Sequence, residues 1–161
     1  MILLEIFNSS LEYEKTFSCS DKVRYGFLTP SGISKSRLIQ VVFETSAQVA
    51  DSWDLSFTSN GKSDITGGGN AEVIFSTVMK IVEDFVKEHH PKVLMFMAAK
   101  VEPSRIKLYQ RIVTRQIGRI GFETVDQEVP KKDLPSDLLA YIEGKKNQRS
   151  YNHEFILVKK R

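Results

Sequence analysis

The chain has 161 residues, with 41% apolar and 27% charged content and a net charge of +3. That size fits one domain spanning 1–161 with a substantial core, and the composition excludes a disordered or low-complexity chain. No run reaches the ~18 apolar residues of a membrane helix, and the one cysteine, Cys19, cannot form an internal disulfide, so a reducing, cytoplasmic setting with no membrane partner is expected.

Met1–Phe7 reads as a first strand, because Glu5 interrupts its apolar run and no basic segment precedes it, as a signal peptide would require. Leu11–Cys19 fits either a short helix or a strand. Lys22–Leu28 alternates weakly, Thr29-Pro30-Ser31-Gly32 is turn chemistry, and Leu38–Thr45 is a strand rich in Val, Ile and Phe. After a presumed fourth strand that includes Ser56–Thr58, the polar segment Asn60–Ile65 leads to Thr66-Gly67-Gly68-Gly69-Asn70-Ala71. Three glycines in a row cost backbone entropy and suit a chain that needs positive φ or close approach by a ligand. At the start of a helix, where N–H groups lack partners and the dipole is positive, such a turn suits a phosphate or pyrophosphate. The other reading is a loop with Asn70 as the N-cap.

The apolar stripe Ala71, Ile74, Phe75, Val78, Ile81, Val82, Phe85 predicts a helix laid on a sheet and ending near His89-His90, since Pro91 cannot continue it. Val93–Ala99 is a nearly unbroken apolar run, as in a strand buried on both faces and paired in parallel. A second helix is expected from Pro103-Ser104 through Ile106, Tyr109, Ile112 and Val113, then a strand at Gly121–Val125. Ser136–Glu143 predicts a short helix with Gly144 as its C-cap, and Tyr151–Lys159 a closing antiparallel strand centred on Glu154–Val158.

Charge is uneven. Residues 100–161 carry 14 Lys+Arg against 8 Asp+Glu, and residues 1–99 carry 9 against 12. Arg105, Lys107, Arg111 and Arg115 could face a cofactor phosphate or a nucleic-acid backbone, or be a solvated helix face. Other chemistries find no support. Gly61-Lys62-Ser63 lacks the upstream glycine of a nucleotide-binding P-loop, and no Gly-x-Ser-x-Gly elbow is present. His89, His90 and Cys19 lack metal-ligand spacing, so no metal is expected.

Strand, Gly turn, helix, strand, helix, strand, with Thr66-x-x-Gly69-x-Ala71 at the turn, Leu108-Tyr109 in the next helix and Gly121-Phe122 after it, resembles the GNAT superfamily of acyl-coenzyme A N-acyltransferases. The resemblance covers roughly residues 53–125. It departs at Thr66, where the family prefers Gln or Arg, and at Glu102 and Arg105, where Asn and Ala are usual. It implies an α/β (α+β) fold with a mixed, mostly antiparallel central sheet, one parallel strand pair and helices on both faces. It also implies direct acetyl transfer from acetyl-CoA to an amine acceptor. Thr66, Gly67, Gly68, Gly69, Asn70 and Ala71 would bind the cofactor, with the strands at Ser56–Thr58 and Phe96–Ala98 flanking its pantetheine arm. Tyr109 would be the general acid toward the departing thiolate, although a buried Tyr on an apolar stripe is also ordinary. The resemblance names no base; Glu44 and Asp54, near the presumed sheet edge, are the candidates, and the spacing commits neither. The phrases Val73–Val78 and Pro103–Tyr109 also look similar to small uncharacterised proteins of tailed bacteriophages, which implies a source and no activity. The alternatives are an inactive GNAT-like module that binds a host or virion protein and, third, a nucleic-acid binder.

Overall fold

The computed structural model describes residues 10–29, 36–59, 71–99, 110, 113–115, 117–126, 130, 132–146 and 152–160. The expected first strand at Met1–Phe7 lies outside them, as do Thr66–Asn70 of the Gly turn and Tyr109. The elements are β1 (Glu14–Ser18), β2 (Lys22–Leu28), β3 (Leu38–Thr45), β4 (Ser52–Ser59), α1 (Ala71–His89), β5 (Val93–Ala99), a 3-10 turn (Ile117–Ile120), β6 (Phe122–Thr124), α2 (Ser136–Lys146) and β7 (Asn152–Lys159). They give a mixed α/β fold with a seven-stranded sheet in the order β1, β2, β3, β4, β5, β7, β6. β4 and β5 pair in parallel, whereas β1–β2, β5–β7 and β6–β7 are antiparallel. The chain divides into two compact units, residues 1–43 with 56–90, and residues 44–55 with 91–161.

In the first unit the ambiguous Leu11–Cys19 segment resolves as the strand β1. All five residues of that strand are exposed, so its pairing with β2 decides the outcome and not a buried apolar face. Thr29, 2% exposed, closes the β2 end, donating its N–H to the Arg37 carbonyl at 2.9 Å and accepting from the Arg37 N–H through Oγ1 at 2.8 Å. The core is a run of aromatic contacts. Tyr25 meets Tyr13 and Phe43 edge-on at 6.1 and 5.9 Å, Phe43 stacks on Phe85 of α1 at 3.8 Å, and Phe85 stacks on His89 at 4.6 Å. The buried stripe Ile74, Phe75, Val78, Ile81, Val82, Phe85 of α1 matches the sequence periodicity. Thr77, fully buried, donates to the Val73 carbonyl and accepts from the Leu11 N–H at 2.9 Å, tying the N-terminal segment to the helix. At the end of α1, His90 adopts φ 50° and its N–H bonds the Val86 carbonyl at 3.0 Å, completing the stop that Pro91 imposes.

In the second unit the parallel register is set by a turn. Asp51, at φ 53°, offers its carbonyl to the N–H groups of Lys92 and Val93 at 3.0 and 3.2 Å, and its carboxylate pairs with Lys92 at 3.5 Å. Ser52 is thereby placed opposite Val93, and the pairing runs to Leu55 opposite Phe96. Gly121, at φ 80°, permits the entry into β6, and its carbonyl accepts from Lys160. One cluster of buried side chains joins Val49, Val93, Met95, Val125, Ile156 and Val158 to Leu138 and Ile142 of α2. Asp137 starts that helix, its carboxylate accepting from the Leu138 and Ala50 N–H groups at 2.8 and 2.7 Å, where the dipole favours an anion. Gly144 is not the C-cap that the sequence suggests. α2 runs through it to Lys146, with Lys145 in the last turn, where a cation suits the helix dipole.

Candidate functional site

The chemistry that can be built from the described residues lies in the second unit, on the side of the sheet that α2 covers. Directly paired strand residues share a face, and so do residues two apart on one strand. Asp54 is opposite Met95, and Met97 is opposite Glu154, so Asp54, Met95, Met97 and Glu154 share one face, with Asp54 and Glu154 on the two strands that flank β5. It is the same face whose Met95 and Ile156 pack on Leu138 and Ile142. Toward the C-terminal end of β5 the apolar covering stops. Met97 is 55% exposed, and the polar end of α2 takes over with Tyr141 and Lys145.

Tyr141 donates its hydroxyl to Glu154 Oε1, and the Lys145 ammonium stands over the Tyr141 ring at 5.5 Å. Burial, the hydrogen bond to Glu154 and the charges of Glu154 and Asp54 all push the Tyr141 phenol above its ordinary range, so it stays a neutral donor. Asp54 is held above the usual carboxylate range. Protein packed around its carboxyl desolvates it in part although the residue keeps an exposed surface, the charges of Glu154 and Glu44 add to the effect, and Lys145 opposes it. A carboxyl with raised proton affinity at a solvent-facing rim can accept a proton from a substrate group at mild pH. An open groove of about 450 Å³ runs beside α2, and Tyr141 and Lys145 line it together with Gln48, Asp137, Ala140 and Gly144.

The two candidate bases, Glu44 and Asp54, are thus brought within electrostatic reach of each other. Their expected place near a sheet edge is corrected, because β4 lies inside the strand order with β3 and β5 as neighbours. Of the cofactor-turn residues, Ala71 opens α1, and Thr66, Gly67, Gly68, Gly69 and Asn70 fall outside the described residues, as does Tyr109. Glu154, Tyr141 and Lys145 were not legible as site residues. The one local signal was a carboxylate leading the apolar run Phe155–Val158, and nothing in the sequence linked it to Asp54, a hundred positions earlier. Among the described residues, no three of His, Cys, Asp and Glu are placed to hold a metal ion, and no helix is long and apolar enough to cross a membrane.

Among solved structures, the chain is similar to a point mutant of the spermidine N-acetyltransferase SpeG from Vibrio cholerae, at 11% identity and a TM-score of 0.40 over 86% of this chain and 64% of that one. It is also similar to an acetyltransferase from Bacillus subtilis in complex with CoA, at 8% identity and a TM-score of 0.36 over 88% of this chain and 78% of that one. A GNAT-family acetyltransferase from Streptococcus pneumoniae gives 11% identity and a TM-score of 0.37 over 88% and 68%. The chain spans less than two thirds of the length of the Vibrio enzyme, and at these scores the likenesses carry no argument about activity. No curated protein matches the sequence. A family of unknown function, DUF6934, matches residues 10–125, from just before β1 to just past β6. With most of its length inside that match, the chain belongs to the DUF6934 family.

Proposed function

We propose that this protein is an acyl-CoA-dependent N-acyltransferase in which Asp54 is the base toward an amine acceptor. The observation that carries the reading is the connection between the two parallel strands. It leaves β4, passes through the three glycines at 67–69 and enters the 19-residue helix α1 at Ala71. The first N–H groups of such a helix have no intrahelical partners and lie at the positive end of its dipole, which suits a diphosphate. The start of α1 directly behind the glycine run therefore fits the cofactor that the GNAT resemblance implies.

Acyl-CoA, when bound, supplies the acyl carbon and the thiolate that leaves it. The backbone of Gly67–Ala71 holds the diphosphate in this reading, and Thr66 precedes it. Asp54 takes a proton from the acceptor nitrogen, a task for which its raised proton affinity suits it better than an ordinary surface carboxylate. Tyr109 gives its phenolic proton to the sulfur.

Calorimetric titration with acetyl-CoA, on the wild type and on Gly69→Glu, tests the cofactor half. Micromolar binding that is lost in the variant is the expected result, because the new carboxylate opposes the diphosphate. Asp54→Asn should keep that binding and lose turnover with amine acceptors. If the wild type gives no binding heat with acetyl-CoA or longer acyl donors, the reading fails, and a protein-binding module becomes the better account.

A further inference from the structure

We infer that the groove beside α2 is a binding site for a small organic monocarboxylate, with the Lys145 ammonium as its anchor. The inference goes beyond acyl transfer and does not depend on it.

The groove lies wholly in the second unit, and its volume of about 450 Å³ suits a small molecule. One face of α2 runs along it, since residues 137, 140, 141, 144 and 145 recur at helical spacing, while Leu138 and Ile142 turn to the core. That face carries opposite charges at its two ends, Asp137 in the first turn and Lys145 in the last, two helical turns or about 12 Å apart. The two charges differ in what they still have to offer. The Asp137 carboxylate already accepts from the Leu138 and Ala50 N–H groups at 2.8 and 2.7 Å, and the helix dipole favours it there. Lys145 is partly buried, and among the described residues no carboxylate stands within ion-pair distance of it. Its contact is with the Tyr141 ring at 5.5 Å, and a ring face attracts an ammonium without neutralising it or occupying its three N–H donors. Tyr141 donates its hydroxyl to Glu154, so the ring that carries the ammonium is itself held in place. A partly desolvated cation with its donors unspent fits a carboxylate, because charge-assisted hydrogen bonds are the stronger kind. One anchoring cation calls for one negative charge, and Asp137 at the other end disfavours a second. Between the ends the wall is Ala140, the Tyr141 ring and Gly144, where an added Cβ would meet nothing within 4 Å, so the body of the ligand lies against a methyl group, a ring and bare backbone.

The test is an NMR titration of the backbone amides at constant ionic strength with three probes: phenylacetate, phenylacetamide, which keeps the body without the charge, and inorganic phosphate, which keeps the charge without the body. Phenylacetate should give saturable shifts centred on α2 and Gln48, and each of the other two should bind at least about tenfold more weakly. Lys145→Met keeps the apolar stem and removes the charge, and it should weaken phenylacetate by a similar factor. Gly144→Leu fills the groove and should do the same with Lys145 in place. The inference is overturned if phenylacetate gives no saturable shift, if Lys145→Met or a folded Gly144→Leu binds it as the wild type does, or if the amide or phosphate binds equally well. Equal binding of phosphate would mark an unspecific surface cation. The amide spectrum of each variant reports its folding, and Lys145→Met decides alone if Gly144→Leu does not fold. Success or failure of the acetyl-CoA titration leaves every one of these outcomes unchanged, so the two readings fail separately.

Discussion

The two units handle polar groups in opposite ways. In the first, charge stays outside an aromatic core. Lys15 and Glu88 pair at 2.6 Å on the surface, with the hydrogen bond from Lys15 holding the Glu88 carboxyl below its usual range, while Tyr25, Phe43 and Phe85 stack underneath. In the second, an aliphatic core gives way at one end to the neutral Tyr141 and to Asp54, Glu154 and Lys145, with the charges of Glu154 and Lys145 acting on Asp54. The first arrangement gives a rigid platform, because stacked rings have few rotamers and surface ion pairs contribute little. In the second, partial desolvation raises the proton affinity of Asp54 where solvent still has access, which is the property that the proposed role of Asp54 uses.

The largest test of the contrast removes one anchor from each core. Phe85→Ala should cost about 3–5 kcal/mol and Leu138→Ala about 2–5 kcal/mol in urea unfolding, since both side chains are fully buried. If the two units respond independently, each variant should expose amides to hydrogen exchange mainly in its own unit.

Tyr25→Phe sharpens the contrast from the side of the aromatic core. The Tyr25 hydroxyl is buried with no hydrogen-bond partner among the described residues, and burial, with the Glu88 charge behind it, pushes its pKa up to about 12. Removing the hydroxyl should stabilise the protein by roughly 1 kcal/mol, because an unsatisfied buried donor is lost. The alkaline limb should change as well. The folded state holds this proton more tightly than the unfolded chain, so the associated stability is present below pH 10 and lost as pH rises toward 12. The variant should lack that loss.

In the second unit, Gly144 lies inside α2 with nothing within 4 Å of an added Cβ and no positive φ. Gly144→Ala should therefore stabilise by about 0.5–1 kcal/mol in thermal unfolding. Asp54→Asn carries the smallest effect, with a defined sign. A carboxyl whose folded value is raised lends stability below the ordinary Asp value and loses it as pH climbs through the folded one. The variant should flatten that decline and be slightly more stable at neutral pH, by less than about 1 kcal/mol after solvent screening.

Local patterns made much of the scaffold legible. The stripe from Ile74 to Phe85 with Pro91 behind it marked α1 to within a residue, and the apolar run at 93–99 marked β5 and its parallel partnership. Punctuation by a single glycine was less reliable. Gly121, expected as the first residue of a strand, stands at a positive φ just before β6, whereas Gly144 was absorbed into a helix that continues past it. The all-exposed strand β1 had no period to read, since only its hydrogen bonds to β2 define it.

By itself, then, the sequence determined where α1 and β5 begin and end and that β5 runs parallel to the strand before α1, because those follow from periodicity, proline and chain order over a few turns. The company of Asp54 was decided by tertiary structure alone. Residues 54, 141 and 154 share no local pattern, and strand register and the packing of α2 carry them to one side of the sheet, where partial desolvation and neighbouring charges raise the proton affinity of Asp54 and Tyr141.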